Sequence, residues 1–478
     1  MDNVSKINSF VQGPHARVSH CATPERARPR ALLLYPPIYD FALYDLFLKP
    51  YALCRLGAWL DRAGYAVRMV NAMDYTDPAS MAALGASRRE ACGTGKFFRQ
   101  IVASPQTLSG IRRRYARYGI VAESLERRIA AEQPDIVFVS AGMTYWYPGV
   151  VEAVRAVRGI FPGVPIVLGG IYPTLCPEHA RAHVDADLVV RGPAFPSLQE
   201  FLKRARFPVA ETQEGEQLLL MPEVNWKAGV VRLNRGCPLS CAYCSSKALE
   251  PRFVQGDAQL LFETVRRIHR RFATRCFAFY DDALLVNKEQ AFLPFLERLL
   301  DSGLDLQFYV PNAVHLRYLD GRCAVLMRRS GFAEVRVGFE SCVPEFHETL
   351  DTKLAASMLG EGLEHLLQAG FPPDALIAYV LAGLPGQEAG EVELSIHHAA
   401  RFGIRVQVAE YSPTPGSSLW AQAVSRSPFA LAEEPLTHNN SILPMRWRGF
   451  TVADMDRLKL LCRNLSERSV SQAGDRRG

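Results

Sequence analysis

Three cysteines stand close together in the stretch RGCPLSCAYC, at Cys237, Cys241 and Cys244. Thiolate sulfurs are metal ligands, so this grouping predicts a metal centre. Structural zinc sites are closed by four ligands, usually from paired groups, and no second pair follows here at zinc-finger distance. Three thiolates instead suit a [4Fe–4S] cluster with one iron left open. An open iron is a position at which a substrate or a cofactor can coordinate.

The other eight of the eleven cysteines are scattered, mostly among apolar residues. The N-terminal residues have no apolar core of a signal peptide, and no stretch reaches the roughly 18 apolar residues of a membrane span. We therefore expect a cytoplasmic protein in which cysteines serve as thiols and metal ligands and do not form disulfides.

The net charge of +6 is small for 478 residues, so no large nucleic-acid-binding surface is expected. The densest basic run is IRRRYARYGI, residues 111–120. A phosphate patch is one interpretation of this run. A solvated, arginine-rich surface helix is the favoured one, and nucleic acid is not expected as a partner.

Two series of elements must position the cysteines. In the first, between residues 31 and 205, short apolar runs typical of buried parallel strands alternate with helix-length segments. The predicted strands are 31–35, 66–71, 135–140, 165–170 and 186–192. They predict a doubly wound, Rossmann-like α/β sheet that binds ligands at its carboxyl edge. Residues 76–119 are long for a βα connection and predict an insertion, either a lid or an interdomain element.

The second series supplies six more strands and five connecting helices. The predicted strands are 230–234, 276–280, 306–310, 334–339, 376–381 and 406–411, and the predicted helices are 257–272, 288–302, 319–330, 355–370 and 388–403. A closed eight-fold barrel needs about 250 residues, so six repeats predict a partial, open (β/α)6 barrel. The cysteines directly follow its first strand, on the face where barrel enzymes carry their active sites.

These patterns divide the chain into five parts. The predicted parts are a disordered leader at 1–30, the Rossmann-like domain at 31–205, a linker at 206–228, the barrel at 229–424 and a C-terminal extension at 425–478. Within the extension, residues 433–444 are polar and are a candidate to fold over the barrel mouth, with His438 shaping the pocket.

The cysteine spacing resembles the signature of the radical S-adenosylmethionine (SAM) superfamily, CxxxCx(aromatic)C after the first strand of a partial barrel. Tyr243 supplies the aromatic residue. The resemblance implies that Cys237, Cys241 and Cys244 hold three irons of a [4Fe–4S] cluster and that SAM chelates the fourth. It further implies reductive cleavage of SAM to a 5′-deoxyadenosyl radical, with electrons from a donor such as flavodoxin or ferredoxin.

The same resemblance assigns SAM contacts to the ends of the later strands. Asp281 and Asp282 stand where the superfamily has a Gly-Gly-Glu-like loop for the SAM amino group, although the glycines are absent here. The remaining candidates are Asn312 and His315 after the third strand, Glu340 and Ser341 after the fourth with Arg336 as a possible charge partner, Gly383 and Pro385 in the loop AGLPGQ, and the loop EYSPTPGS at 410–417.

A doubly wound domain immediately before such a barrel resembles the cobalamin-binding class of radical SAM enzymes. The candidate cobalamin contacts are Ser140, Gly142, Gly169, Gly170 and Tyr172, where small residues let the backbone approach a large corrinoid. Tight strand–helix turns require the same glycines. The segment usually containing Gly-Glu-Gly reads Gly192-Pro193-Ala194 here, and the first βα loop has no histidine to serve as a lower cobalt ligand.

If cobalamin binds, methylation of an unactivated carbon is the implied reaction, with radical rearrangement or ring closure as the alternative. The substrate, a small molecule or a peptide, is not specified by these residues. Methylthiotransferases also join an α/β domain to a radical SAM barrel, and Cys21, Cys54 and Cys92 have roughly the spacing of their second cluster. Near eight irons per chain would favour that class, and near four would favour a single cluster. The non-enzymatic alternative is a zinc-stabilised binding module.

Overall fold

The computed structural model describes residues 28–193, 195–210, 217–351 and 358–475. Most of the predicted leader, part of the predicted linker, Ala194 and Cys21 lie outside the described residues.

The first half of the chain folds around a parallel sheet in the order β3-β1-β6-β7-β8. The strands of this half are β1 Arg30–Tyr35, β2 Ile38–Asp40, β3 Ala66–Asn71, β4 Arg99–Ile101, β5 Ala116–Tyr118, β6 Ile136–Ala141, β7 Ile166–Gly170 and β8 Leu188–Val189. Its helices are α1 Tyr51–Arg62, α2 Pro78–Leu84, α3 Ala122–Glu132, α4 Tyr147–Ile160, α5 Ile171–Leu175, α6 Pro177–His183 and α7 Phe195–Arg204. The predicted doubly wound sheet is confirmed, because its apolar strands are covered by helices on both faces.

The second half contains a six-stranded parallel sheet in consecutive order, from β9 at one edge to β14 at the other. The strands are β9 Ala228–Val231, β10 Cys276–Phe279, β11 Gln307–Tyr309, β12 Phe332–Glu340, β13 Leu376–Ala382 and β14 Arg405–Glu410. The helices are α8 Ser246–Leu249, α9 Ala258–Phe272, α10 Phe292–Ser302, α11 Gly321–Arg329, α12 Pro344–Thr349, α13 Met358–Gln368, α14 Ala389–Ala400, α15 Trp420–Arg426 and α16 Val452–Asp475. The predicted partial (β/α)6 barrel is confirmed.

The insertion at residues 76–119 joins the two halves. Its strand β5 pairs antiparallel with β4 on one side and with β2 on the other, in a separate small sheet. Phe279 packs on the α10 helix through Phe292, so the neighbouring Tyr280 faces the other, inner side of the barrel. There the Tyr280 hydroxyl donates to the carbonyl of Phe47, while Gly93 of the insertion lies against the start of β9. The insertion and the loop before α1 therefore pack against the barrel as an interdomain element.

The prediction of a solvated helix over the basic run 111–120 is wrong. Residues Ala116–Tyr118 form strand β5, and Arg117 is buried with its guanidinium on both carboxylate oxygens of Glu152, at 2.6–3.0 Å. Arg113 donates to the carbonyl of Ser441 at 2.9 Å. Arg112, Arg113 and Arg114 are exposed as expected, but the run is not helical and Arg117 is used for packing between elements.

The C-terminal residues hold both halves together. His438 is buried, with Nδ1 2.9 Å from the Thr144 hydroxyl of the first half and Nε2 2.8 Å from the carbonyl of Leu431. Asn439 donates to the Asp40 carboxylate at 2.9 Å. The polar residues of segment 433–444 thus meet partners at the junction of the two halves. In the part of the chain that the structure describes, no helix is both long and apolar enough to cross a membrane.

Candidate active site

The three cysteines lie on a loop that leaves the carboxyl end of β9. Gly236 begins this loop with φ +72°, and an added Cβ would lie 2.6 Å from the carbonyl of Arg252, so the turn requires glycine. Arg235 and Val254 exchange backbone hydrogen bonds of 3.0 and 2.9 Å. The start of the cysteine loop is therefore fixed against the segment that follows it.

The three thiols differ in exposure and none is in a disulfide. Cys241 is buried, Cys237 is half-buried and Cys244 is exposed. The N–H of Cys244 donates to the carbonyl of Cys241 at 3.1 Å, which closes a tight turn between them. Among the described residues, no three His, Cys, Asp or Glu side chains converge on a point where a single metal ion would bind. Three thiols on one loop fit a multi-iron cluster better than a closed zinc site, which needs four converging ligands.

Asp281 holds the strand that leads into the cysteine loop. Its buried carboxylate accepts hydrogen bonds from the N–H groups of Leu233 and Asn234, at 3.0 and 2.6 Å. Burial raises the pKa of this carboxyl to about 7, against the opposing effect of the Asn234 and Leu233 donors and of Arg232. Both oxygens are thus occupied by backbone donors, and the predicted contact with the SAM amino group stays a prediction.

We expect Asp281→Asn to remove a pH dependence of stability. The carboxyl ionises at 3.8 ordinarily and near 7 when folded, so between these values the folded chain binds the extra proton and rising pH lowers the free energy of unfolding. The loss between pH 5 and 8 is on the order of 3 kcal/mol. An asparagine stays neutral at both pH values, so the variant should lose this pH response. Its amide nitrogen cannot accept the N–H of Leu233 or Asn234, so the variant should be less stable than wild type at pH 5. Urea unfolding at both pH values measures this, with the exposed neighbour in Asp282→Asn as control. A pH response equal to that of wild type would contradict the assignment.

Asp282 and Asn312 lie nearer the mouth of the barrel. Asp282 is exposed and lines a cavity between the two sheets. Asn312 donates from its side-chain amide towards the carbonyl of Asp281 at 3.4 Å, so the ends of β10 and β11 meet there. His315, a little further along, is buried.

The end of β12 is strained. Glu340 has a positive φ of +67° although it is not glycine, and its Oε1 lies 3.0 Å from the position of a Cβ on Gly338 of the same strand. The carboxylate therefore folds back over the inner face of the barrel. Left-handed backbone at a buried polar residue is a feature that clusters at functional sites.

Arg336 is not the charge partner of Glu340. Its guanidinium donates to Glu334 at 2.7 Å and to the hydroxyl of Tyr379. Residues two apart on a strand share a face, and this ion pair lies deeper on the inner face of β12 than Glu340.

Ser341 and the helix after it connect the end of β12 with the cysteine loop. The Ser341 carbonyl accepts from Nε2 of His347 at 2.7 Å. Nδ1 of His347 lies 3.5 Å from Asp351, whose other oxygen accepts from the Cys241 thiol at 3.3 Å. Burial acts to lower the pKa of His347, but Asp351, the Ser341 carbonyl and Glu340 together outweigh it and raise this pKa.

The last two strand ends are closed by local contacts. Gln387 accepts from the N–H groups of Gly383 and Leu384 at 2.8 and 3.2 Å, which fixes the loop that contains the half-buried Pro385. After β14, the hydroxyl of Thr414 lies 2.7 Å from that of Ser245. The loop 410–417 therefore packs directly on the residue after Cys244.

A cavity of about 380 Å³ lies between the carboxyl edges of the two sheets. Its floor is apolar and comes from the first half of the chain, through Leu53, Leu56, Phe138, Val167, Val190 and Leu198. Its rim towards the barrel is charged, through Arg55, Arg232, Arg235, Glu250 and Asp282. Arg232 and Glu250 form an ion pair at 3.9 Å. The chamber thus reaches the residue two positions before the first cysteine.

The edge of the first sheet approaches this cavity with small side chains or none. Ser140, Gly169 and Gly170 line it. A Cβ on Gly169 would meet nothing within 4 Å, so the cavity space begins at its backbone, whereas Gly170 has φ +112° and would clash with Ala141. Thr174 donates to the carbonyl of Gly170 at 2.6 Å and ties this edge together. The lining suits a ligand that has both an apolar part and polar substituents.

Two family models match the chain on either side of this cavity. The B12 binding domain matches residues 101–202, and the radical SAM superfamily matches residues 231–399. The chain is a cobalamin-binding radical SAM enzyme. Its cofactors are accordingly a [4Fe–4S] cluster, SAM and cobalamin, and the alternative of a non-enzymatic zinc-stabilised module is wrong.

The chain is similar to a relative in sequence and to solved structures in fold. An uncharacterized methyltransferase of Pyrococcus horikoshii is 25% identical over 356 residues, which cover 67% of this chain and 73% of the relative. The radical SAM methyltransferase TsrM from Kitasatospora setae, solved with a tryptophan substrate and a SAM analog, has a TM-score of 0.63 at 13% identity over 90% of this chain and 88% of its own. The cobalamin-dependent radical enzyme OxsB has a TM-score of 0.54 at 11% identity, over 89% of this chain and 57% of its own.

Two of the predicted cobalamin contacts of this radical SAM enzyme lie away from the cavity. A Cβ on Gly142 would lie 2.7 Å from the Trp146 ring, so packing against that ring explains the glycine. Tyr172 is fully buried, stacks on Tyr147 and has its hydroxyl 2.7 Å from His179. The proposed contacts of Tyr172 and Gly142 with a corrinoid stay predictions.

The sequence reasoning passed over several residues of this radical SAM site. Arg232 and Arg235 line the cavity, and their position in VVRLNRGC, directly before the first cysteine, was an available signal. Arg55 lies in the amphipathic helix α1, where an arginine is expected on the solvent-facing side and gives no signal of a site. Asp351 had no local signal at all, because it reaches Cys241 across 110 residues of chain.

Proposed function

We propose that this enzyme methylates its substrate in the cavity between the two sheets, with SAM bound at a cluster on Cys237, Cys241 and Cys244. The observation that carries the proposal is the shared chamber. One cavity is lined both by the glycine edge of the B12-type sheet and by Arg235 and Asp282, which flank the cysteine loop. Two cofactors held at these two edges would face one another across a single reaction space.

When bound, the cluster supplies the electron that cleaves SAM to methionine and a 5′-deoxyadenosyl radical, and cobalamin supplies a carrier for a methyl group. The protein itself would bind and orient the cofactors and the substrate and shield them from water. Asp281 and the turn at Gly236 fix the cysteine loop. Glu340, buried and turned inward at the end of β12, and the exposed Asp282 are the candidate acceptors for the amino and hydroxyl groups of SAM.

The cradle for cobalamin would divide by polarity. The apolar floor suits an aromatic base at the end of a nucleotide tail, and the open backbone at Gly169 and Gly192 lets a macrocycle approach closely. Arg55 and Arg232 at the rim suit amide and phosphate oxygens.

Ring closure without methyl transfer is the second candidate reaction. An anaerobic magnesium-protoporphyrin IX monomethyl ester cyclase of Synechocystis is 21% identical over 261 residues, and this chain spans only 52% of it. The methyltransferase relative is matched over more of its length, so methylation is favoured. The substrate is a small molecule or a peptide, and the electron donor is of the flavodoxin or ferredoxin kind.

Anaerobic reconstitution of the full chain with iron and sulfide tests this function. We expect about four irons per chain, formation of 5′-deoxyadenosine on addition of SAM and reductant, and retention of added hydroxocobalamin through gel filtration. If the fully loaded cluster yields no 5′-deoxyadenosine, the proposed radical reaction is contradicted. Cluster loading without retained corrinoid would remove the cobalamin-dependent methylation, and about eight irons would favour the methylthiotransferase class.

A further inference from the structure

The Asp351 carboxyl is fixed against one of the three cysteines by two separate contacts. It is 1% exposed, and one oxygen lies 3.3 Å from the sulfur of Cys241. The backbone holds it there as well, because the N–H of Ala242 donates to the carbonyl of Leu350 at 2.8 Å. A buried acid is thus held beside a predicted cluster sulfur by the fold and not by chance rotation of a side chain.

His347 stands on the far side of that carboxyl. Its Nδ1 lies 3.5 Å from Asp351, and the side chains of both residues are almost fully buried, at 6% and 0% exposure. Its Nε2 is 2.7 Å from the Ser341 carbonyl, and since a carbonyl only accepts, Nε2 carries a hydrogen. The ring is therefore oriented with Nδ1 towards the acid, and a row of contacts runs from the end of β12 to Cys241.

We propose that Asp351 and His347 are positioning residues that set the reduction potential of the cluster, with opposite signs. The inference rests on the proposed function, because it requires a cluster on Cys241. Charges act strongly at short range in a buried site, and cluster potentials follow the net charge and the hydrogen bonds at the sulfurs. A cysteine that ligates iron has lost its thiol hydrogen, so with a cluster bound the Asp351 carboxylate would face the Cys241 sulfur as a negative charge and oppose the arrival of an electron. The His347 ring beside it offsets that effect.

Redox titration of the reconstituted full-length protein, followed by electron paramagnetic resonance without SAM, tests the pair. At the wild-type midpoint, Asp351→Asn is expected to raise the ratio of reduced to oxidised cluster about tenfold, an upward shift of about 59 mV for one electron. His347→Gln keeps an amide that can donate to the Ser341 carbonyl but removes the ring, and its ratio is expected to fall. Glu348→Gln, an exposed acid on the same helix, is the control and should leave the midpoint unchanged.

Opposite shifts in the two variants support the proposal, since a merely structural role would not separate their signs. Unshifted midpoints with full iron content, or shifts of the same sign, overturn it. If Asp351→Asn fails to load iron, His347→Gln decides alone, and an unshifted midpoint there overturns the proposal. Failure of the wild-type chain itself to take up about four irons would instead contradict the proposed function.

Discussion

Cys241→Ala is expected to abolish both the cluster and the cleavage of SAM. The thiol is buried at the centre of the cysteine loop, and the chain offers no fourth cysteine on that loop to replace it. A cluster that loses one of three protein ligands is not retained, because no protein group can take over the vacated iron. Iron content should fall from about four to below about one per chain. Formation of 5′-deoxyadenosine should fall to background, because the cluster supplies the electron that cleaves SAM.

Cys92→Ser is the matched control for this experiment. Cys92 is half-buried, and its sulfur lies 3.4 Å from the Thr94 hydroxyl, where a serine can keep a hydrogen bond. It is also a cysteine that the methylthiotransferase alternative would need for a second cluster. Wild-type iron content and activity in Cys92→Ser are therefore expected. If Cys92→Ser halved the iron content, or Cys241→Ala kept it, the single-cluster assignment would be lost.

Gly169→Leu is expected to weaken cobalamin binding without unfolding the protein. A Cβ at this position meets nothing within 4 Å, and the residue lines the cavity, so the leucine enters space proposed for the corrinoid. Steric overlap of this size costs about 1–3 kcal/mol, which corresponds to a roughly 10- to 100-fold weaker affinity. Titration with hydroxocobalamin, followed by absorbance, measures the change.

Gly163→Leu serves as the control for the cavity variant. Gly163 precedes the same strand, β7, at its amino end, is exposed, and also has open space at its Cβ. The Gly163→Leu variant therefore introduces the same side chain at the opposite edge of the sheet, away from the cavity. Equal corrinoid affinities for the two variants would show that the cavity at Gly169 is not the binding site. Iron content and thermal unfolding should match wild type in both.

The elements that carry the site were predictable because their signals are local. Buried parallel strands are continuous apolar runs, so β3 was predicted at its observed residues 66–71, and each end of β13 to within one residue. The cysteine spacing is also local, since all three lie within ten residues of one loop. The family matches agree with the architecture that these patterns predicted.

Boundaries and partners were harder to predict because distant residues decide them. Strand β9 was expected at 230–234 but ends at Val231. The N–H groups of Leu233 and Asn234 leave the ladder for the carboxylate of Asp281, 47 or 48 residues away. The basic run was misread for the same reason, since Arg117 is drawn into the interior by Glu152.

By itself, the sequence determined the two-part α/β architecture and the three-thiol loop on the carboxyl face of the barrel. The tertiary structure alone decided that Asp281 braces that loop, that Asp351 meets Cys241, and that the edges of two sheets enclose one cavity. The physical reason is the separation along the chain of the residues that determine each feature. Hydrophobic period and ligand spacing are properties of a few consecutive residues, whereas a buried polar group takes its partner from whichever element packing brings beside it.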